Sequence, residues 1–264
     1  MGERLVNFAR IAHRLIAINL FCFLVFLPVI SWFYLTINMY IHAGAVSGMV
    51  DVLPGLGYFA GLLLRLPPVI FYALFACSIL LFGPFLLGLH AVVGAIITSR
   101  HVWASEFFSA ARQNAKQGVV LGALYVLLVH LLLFNMFGGL SSEIAWVSVG
   151  LLIARGVSVV FLLLLLVTLP FVCQIIVTIE QPLRVVVKNA LILARVYLGK
   201  GLLVLFGITV YWWVSTITLP AFSLISLPFF SIALTTLAQA SVSRSVVEQR
   251  LLAPLRRTQE NNSG

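Results

Sequence analysis

Apolar positions in this chain neither alternate nor recur as stripes; they run on. Six long stretches, at about 15–41, 68–98, 118–137, 156–177, 201–218 and 222–240, are almost free of charge and are separated by polar pieces. About 20 apolar residues are enough to carry a helix across ~30 Å of hydrocarbon. In lipid the backbone has to satisfy its own polar groups, so each run is predicted as a helix. The expected fold class is all-α: a polytopic transmembrane helix bundle of six spans, N-in and C-in, forming a single integral membrane domain over residues 1–264. The second run, 68–98, is too long for one upright span, because it would rise about 46 Å. Gly83-Pro84 interrupts it near the middle and predicts a kinked or tilted second span.

Two details refine that outline. Ser141-Ser142-Glu143 has helix-start character and predicts a short helix over Ile144–Ala154 lying on the outer surface. Arg155 then marks the interface where the fourth span begins, its side chain snorkelling to the headgroups. At the N-terminus, a basic leader, an apolar run and Ala43-Gly44-Ala45 imitate a signal peptide. The run from Leu15 to Ile41 is far longer than a signal core, so an uncleaved first helix is expected.

Composition agrees with a lipid solvent. Hydrophobic residues make up 62% of the chain and charged residues 9%, against about 45–50% and about 25% in soluble domains. Charge then orients the outline. Of the 16 Lys and Arg residues, all but Arg65 and Arg155 fall in the polar pieces of even parity, counted from the N-terminus. The positive-inside rule places those pieces in the cytoplasm, and with them both termini of a multi-pass protein of the bacterial plasma (inner) membrane. The net charge of +9 is therefore read as attraction to anionic headgroups of the lipid bilayer, with no nucleic acid as partner. Cys22, Cys77 and Cys173 lie in apolar runs without paired spacing and read as buried small hydrophobes.

Two inner segments carry more pattern than a connector requires. In the first, Trp103, Phe107, Phe108, Ala111 and Ala115 recur at helical spacing, with Arg112, Gln113 and Lys116 mostly off that stripe. In the second, Pro182 suits a first helical turn, Arg184, Lys188 and Arg195 fall near one face, and Val185, Val186, Ala190, Leu193 and Ala194 supply the apolar remainder. Both are predicted as amphipathic helices at the inner surface, each leading into the next span. Glu180 stands four residues before Arg184, as a helical ion pair would require. The segments also echo each other: Glu106, Arg112 and Asn114 in the first correspond to Glu180, Arg184, Lys188 and Asn189 in the second, as parallel repeats would. These residues, with Lys116, are the candidate contacts for a protein partner or for headgroups.

The stretch from Glu106 to Gln117, Glu-Phe-Phe-Ser-Ala-Ala-Arg-Gln-Asn-Ala-Lys-Gln, resembles the hallmark segment of the YesL-type family of bacterial membrane proteins. Asn19-Leu20 with Leu27-Pro28-Val29, Gly83-Pro84, Lys188-Asn189-Ala190-Leu191 and the basic exit Ser241–Arg250 are similar to other parts of that family. The region between about Trp32 and Phe82 departs from it, as an insertion would. The resemblance implies a six-helix protein often associated with carbohydrate uptake, and so a sugar-uptake transporter as partner.

Candidate chemistry is sparse. No nucleophile elbow, phosphate-binding glycine loop or metal-spaced His/Cys group occurs, and all 7 acidic residues lie outside the six runs. The chain is therefore expected to be no enzyme, with no catalytic, cofactor-binding or metal-binding residues and no cofactor. The exceptions to an apolar interior are His90 and His130, at depths of roughly 12 Å and 18 Å from the inner ends of their helices, with Gln174 as a third polar group. Asn38, Asn135, Thr168 and Gln239 are read first as links between helices. Two functions follow: an accessory, partner-binding component of a membrane carbohydrate-uptake system, or an independent transporter or channel for a neutral small solute along His90, His130 and Gln174.

Overall fold

The computed structural model describes residues 16, 19–20, 22–24, 26–28, 68–98, 104–137, 145–214 and 231–254. Every regular element among them is helical: α1 Pro68–Ile97, α2 Ala104–Gln113, α3 Ala115–Phe137, α4 Ala145–Thr178, α5 Leu183–Val196, α6 Leu198–Trp213 and α7 Ile232–Val247, continued by a π-helical turn at Glu248–Leu252.

Three stretches are long and apolar enough to cross a membrane, Tyr72–Ile97, Ala115–Met136 and Val149–Thr178, or four if the bent pair α5–α6 is one broken span. Their outward faces are those of a lipid-exposed helix. On α3, Leu124, Leu127, Leu131 and Phe134 are exposed, and on α4 so are Leu152, Val157, Val160 and Phe161. Such contiguous apolar exposure marks a surface that water does not cover. The protein is a helical bundle with several membrane-spanning helices.

The expected six spans are thereby corrected to three or four among the described residues. As far as it is described, the fifth run falls in α6. It meets α5 at 84° across a one-residue break, so the segment is an elbow, not an upright crossing. The last helix, 16 residues as described, carries Thr235, Thr236, Gln239, Ser241, Ser243, Arg244 and Ser245 and is not among the described helices long and apolar enough to cross. Most of the first run, 15–41, and residues 222–230 of the sixth lie outside the described residues, as do Trp103 and Asn38.

Two further expectations change. α1 is one uninterrupted 30-residue helix with Pro84 inside it, so Gly83-Pro84 does not turn the chain back. The separate surface helix expected over Ile144–Ala154 is instead the first part of α4, a continuous 34-residue helix. Asn135 supplies the reason. Its Nδ2 donates to the Ala154 carbonyl at 3.2 Å and to Ser158 Oγ at 2.5 Å, clamping helical backbone on both sides of the expected junction.

The chain divides into two compact units, one of Met1–Val25, Pro84–Gly118 and Leu166–Gly264, the other of Phe26–Gly83 and Val119–Leu165. Within the second unit, α1 and α3 meet where neither has a side chain. A Cβ at Gly122 would lie 2.7 Å from the backbone nitrogen of Gly83 and 3.1 Å from the Ile79 carbonyl. Phe82 stacks on Tyr125 beside this contact at 5.3 Å. Within the first unit, α2 packs on α1 by the same device, since a Cβ at Gly88 would lie 2.7 Å from the Phe107 carbonyl. Phe107, buried, stacks on Phe85 at 5.8 Å, while its neighbour Phe108 is exposed. α5 buries Val186, Ala190, Leu193 and Ala194 as its periodicity predicts. Tyr197, at the elbow, accepts a hydrogen bond from Arg250 Nε at 2.9 Å, and Lys200 lies over its ring at 5.5 Å. That hydrogen bond raises the Arg250 pKa further. Cys22 and Cys173 are buried as expected, but Cys77 is exposed.

Replacing Gly122 with Leu is expected to destabilise the bundle by about 1–3 kcal/mol, the usual range for overpacking. Gly150→Leu, where nothing lies within 4 Å, is expected to stay within about 0.5 kcal/mol. Reversible unfolding of both variants in mixed micelles compares them directly, and equal losses would refute the close-contact reading.

Candidate functional site

Both patterned inner segments belong to the first unit, and there they come together. The end of α2, the start of α3, the last turn of α4 and residues 179–182 surround a cleft of about 940 Å³. About half of its wall is polar, from Arg112, Lys116, Glu180 and the side-chain amides of Gln113, Asn114, Gln117 and Gln181, and the other half is apolar, with Ile176, Val177, Ile179 and Pro182 among its lining. One hydrogen bond ties the two segments, with Gln117 Nε2 donating to the Gln181 carbonyl at 2.9 Å. Asn189 braces the same residue from α5, its Nδ2 lying 3.3 Å from Gln181 Oε1.

The local sequence explains these positions. α2 ends at Asn114, whose side chain turns back to the Ala110 carbonyl at 3.0 Å, and α3 restarts one residue later. Pro182 is the N-cap of α5 in extended conformation, and its carbonyl receives the amides of Val185 and Val186. Proline has no N–H to donate, so it suits the start of a helix. Glu180 therefore precedes α5 and is not on it. The expected helical pair Glu180–Arg184 does not form, because the two residues do not share a helix.

Of the candidate contacts, Arg112, Asn114, Lys116 and Glu180 line the cleft. Glu106, Arg184 and Lys188 are exposed elsewhere on α2 and α5, and Asn189 acts through Gln181. Sequence reasoning missed Gln117 and Gln181, both neutral amides that charge patterning cannot see.

The intramembrane group is also reshaped. His90 on α1 is 1% exposed and Gln174 on α4 is 0% exposed, and Gln174 Nε2 lies 3.2 Å from His90 Nδ1. The partner of His90 is thus a side chain rather than the backbone carbonyl that buried histidines commonly find. Since the amide nitrogen only donates, His90 Nδ1 accepts and the ring hydrogen sits on Nε2. His130 belongs to the other unit, where its ring packs 6.1 Å from Phe75. Arg244, which sequence reasoning counted only as an inner charge, stands near the pair. It forms an ion pair with Glu248 at 3.1 Å, and the space above Gly94 is filled by its guanidinium.

No protein-family model, curated protein or solved structure matches this chain. The resemblance to the YesL-type family therefore rests on the quoted motifs alone.

Hydrogen bonds between membrane helices average about 0.6 kcal/mol. A double-mutant cycle of His90→Leu and Gln174→Met, measured by unfolding in mixed micelles, is expected to show coupling of about that size. Strict additivity would mean that the amide and the imidazole do not bond.

Proposed function

We propose that the protein is a non-enzymatic accessory component of a bacterial plasma membrane, presenting the cleft between its two inner segments to a partner membrane protein. The observation that carries this reading is the union of both segments around one cavity of about 940 Å³. Two spanning helices need only a short connector. Here each connector is a separate amphipathic helix, and a cross-segment hydrogen bond holds the wall between them. Lipid headgroups can neutralise Arg112 and Lys116 singly, but a wall of four amides offers paired donors and acceptors suited to a partner's backbone or amide side chains.

The bias of Lys and Arg toward these segments supports a cytoplasmic position for the cleft. Resemblance of Glu106–Gln117 to the YesL-type segment supports a carbohydrate-uptake transporter as the partner class. The second reading, a path for a neutral solute, keeps one supporting observation: the buried carbonyl oxygen of Gln174 has no hydrogen-bond partner. His130 gives it no support, as it lies in the other unit against Phe75.

Reversing charge with Arg112→Glu and Lys116→Glu together is expected to weaken co-purification of the partner at least roughly tenfold, a loss of ~1.4 kcal/mol or more. Arg184→Glu with Lys188→Glu, outside the cleft, is expected to weaken it less. Equal effects, or none, would refute docking through the cleft. In a background lacking Cys22, Cys77 and Cys173, Gln113→Cys is expected to react with an impermeant maleimide only after the cells are opened. Labelling of intact cells would place the cleft on the outer side.

A further inference from the structure

The Gln174 amide has a carbonyl oxygen that no group of the described protein fills. The side chain is fully buried, its nitrogen is committed to His90 Nδ1 at 3.2 Å, and Oε1 has no hydrogen-bond partner. In its neighbourhood is a donor with capacity to spare. Arg244 spends Nε on Glu248 at 3.1 Å, and its Nη1 occupies the place where a side chain on Gly94 would stand. That same place lies 4.0 Å from Gln174 Oε1. Glycine at position 94 therefore admits the guanidinium to the neighbourhood of the orphan acceptor, and the two do not bond directly.

The orientation of the amide is fixed by this proximity. Turned over, Gln174 would set its NH₂ against the guanidinium, donor against donor, and would leave its oxygen to His90. The arrangement found places the oxygen toward Arg244 and the nitrogen toward the ring, which is the electrostatically favoured choice.

The chemistry of an occupant follows from the two groups it must meet. It has to accept from Nη1 and donate to Oε1 at once. An anion only accepts, and a metal or ammonium ion would be repelled by the guanidinium. A hydroxyl group does both. We propose that Gln174 Oε1 and Arg244 Nη1 form a binding site for one hydroxyl group, supplied by a water molecule or by a small neutral polyol. With the site filled, a continuous polar chain runs from Glu248 through Arg244, the bound hydroxyl and Gln174 to His90. It ties α7 to α4 and α1 within the first unit and holds the His90 hydrogen on Nε2. This site stands apart from the docking cleft and does not depend on it.

Full-length protein in lipid nanodiscs, labelled with ¹⁵N in glutamine and histidine side chains, tests the proposal by magnetisation transfer from water and by titration with glycerol. Transfer from water to the Gln174 amide that persists in glycerol assigns the site to water. A saturable shift of that amide with loss of the water transfer assigns it to a polyol. If neither occurs in the native protein, there is no such site and the proposal fails, whatever any variant does. Gly94→Ala is expected to abolish the transfer by displacing the guanidinium. Arg244→Leu is expected to let the Gln174 amide turn over, so that His90 populates both tautomers. A His90 ring that keeps a single tautomer in Arg244→Leu would overturn the polar chain.

Discussion

Bare backbone approach at the glycines of α1 is the constraint on which the remaining structure depends. Lipid is as apolar as leucine, so burying leucines against each other draws membrane helices together only weakly. What remains is dispersion over surfaces that fit closely, and dispersion falls away within a fraction of an ångström. α1 meets this requirement by omitting side chains at its contacts: Gly83 lies under Gly122 of α3, Gly88 under the Phe107 carbonyl of α2, and Gly94 under the Arg244 guanidinium. The aromatic rings of Phe82, Phe85, Phe107 and Tyr125 then fill the space around the notches. The third notch differs from the others in admitting a charged group, which makes it chemical as well as mechanical.

Polar groups inside the apolar helices follow a single logic. A side-chain amide has more hydrogen-bonding capacity than one neighbour satisfies, and in hydrocarbon each unmet group is costly. Asn135 meets this need by bonding both a carbonyl and a hydroxyl of α4. Ser158, Thr178 and Ser243 return their hydroxyls to the preceding turn of their own helices. Gln174 breaks the pattern. Its nitrogen is satisfied and its oxygen is not, although a shorter residue would have avoided the problem. Near the Arg244 cation, this free oxygen is the acceptor on which the proposed hydroxyl site rests.

How much of this was legible in the sequence depends on the range of the interaction. Runs that are apolar over 20 or more residues declared the helices α1, α3 and α4, since burial in lipid needs only composition. Helical stripes declared α5 and half of α2, though Phe107 and Phe108 were indistinguishable until α1 took one of them. The misreadings lie where a boundary was set by a partner distant in sequence. Arg155 and Gly156 look like a helix start, but Asn135 holds the backbone helical across them. Glu180 and Arg184 have helical spacing, but Pro182 starts the helix between them. Residues 201–218 are apolar enough for a span, but the 84° bend at Tyr197 that turns their helix away from α5 has no local signal in the sequence. Arg244 was visible only as charge, because nothing local links it to Gly94.

The cleft and the buried pair make different demands, which bears on how they relate. Arg112 and Lys116 are exposed, so their charges are screened within about a Debye length of ~8 Å and gain strength only when a partner excludes water. Such a surface discriminates weakly alone and strongly once covered, as suits docking. The Gln174–His90 pair is fully buried, so its hydrogen bond is little screened without any partner. α4 carries both, with Gln174 in its last turns and Thr178 at the cleft, and the Thr178 hydroxyl bonds the Gln174 carbonyl. One helix thus bears a surface whose interactions depend on what covers it and a buried pair whose interactions do not, and the two can be disturbed separately.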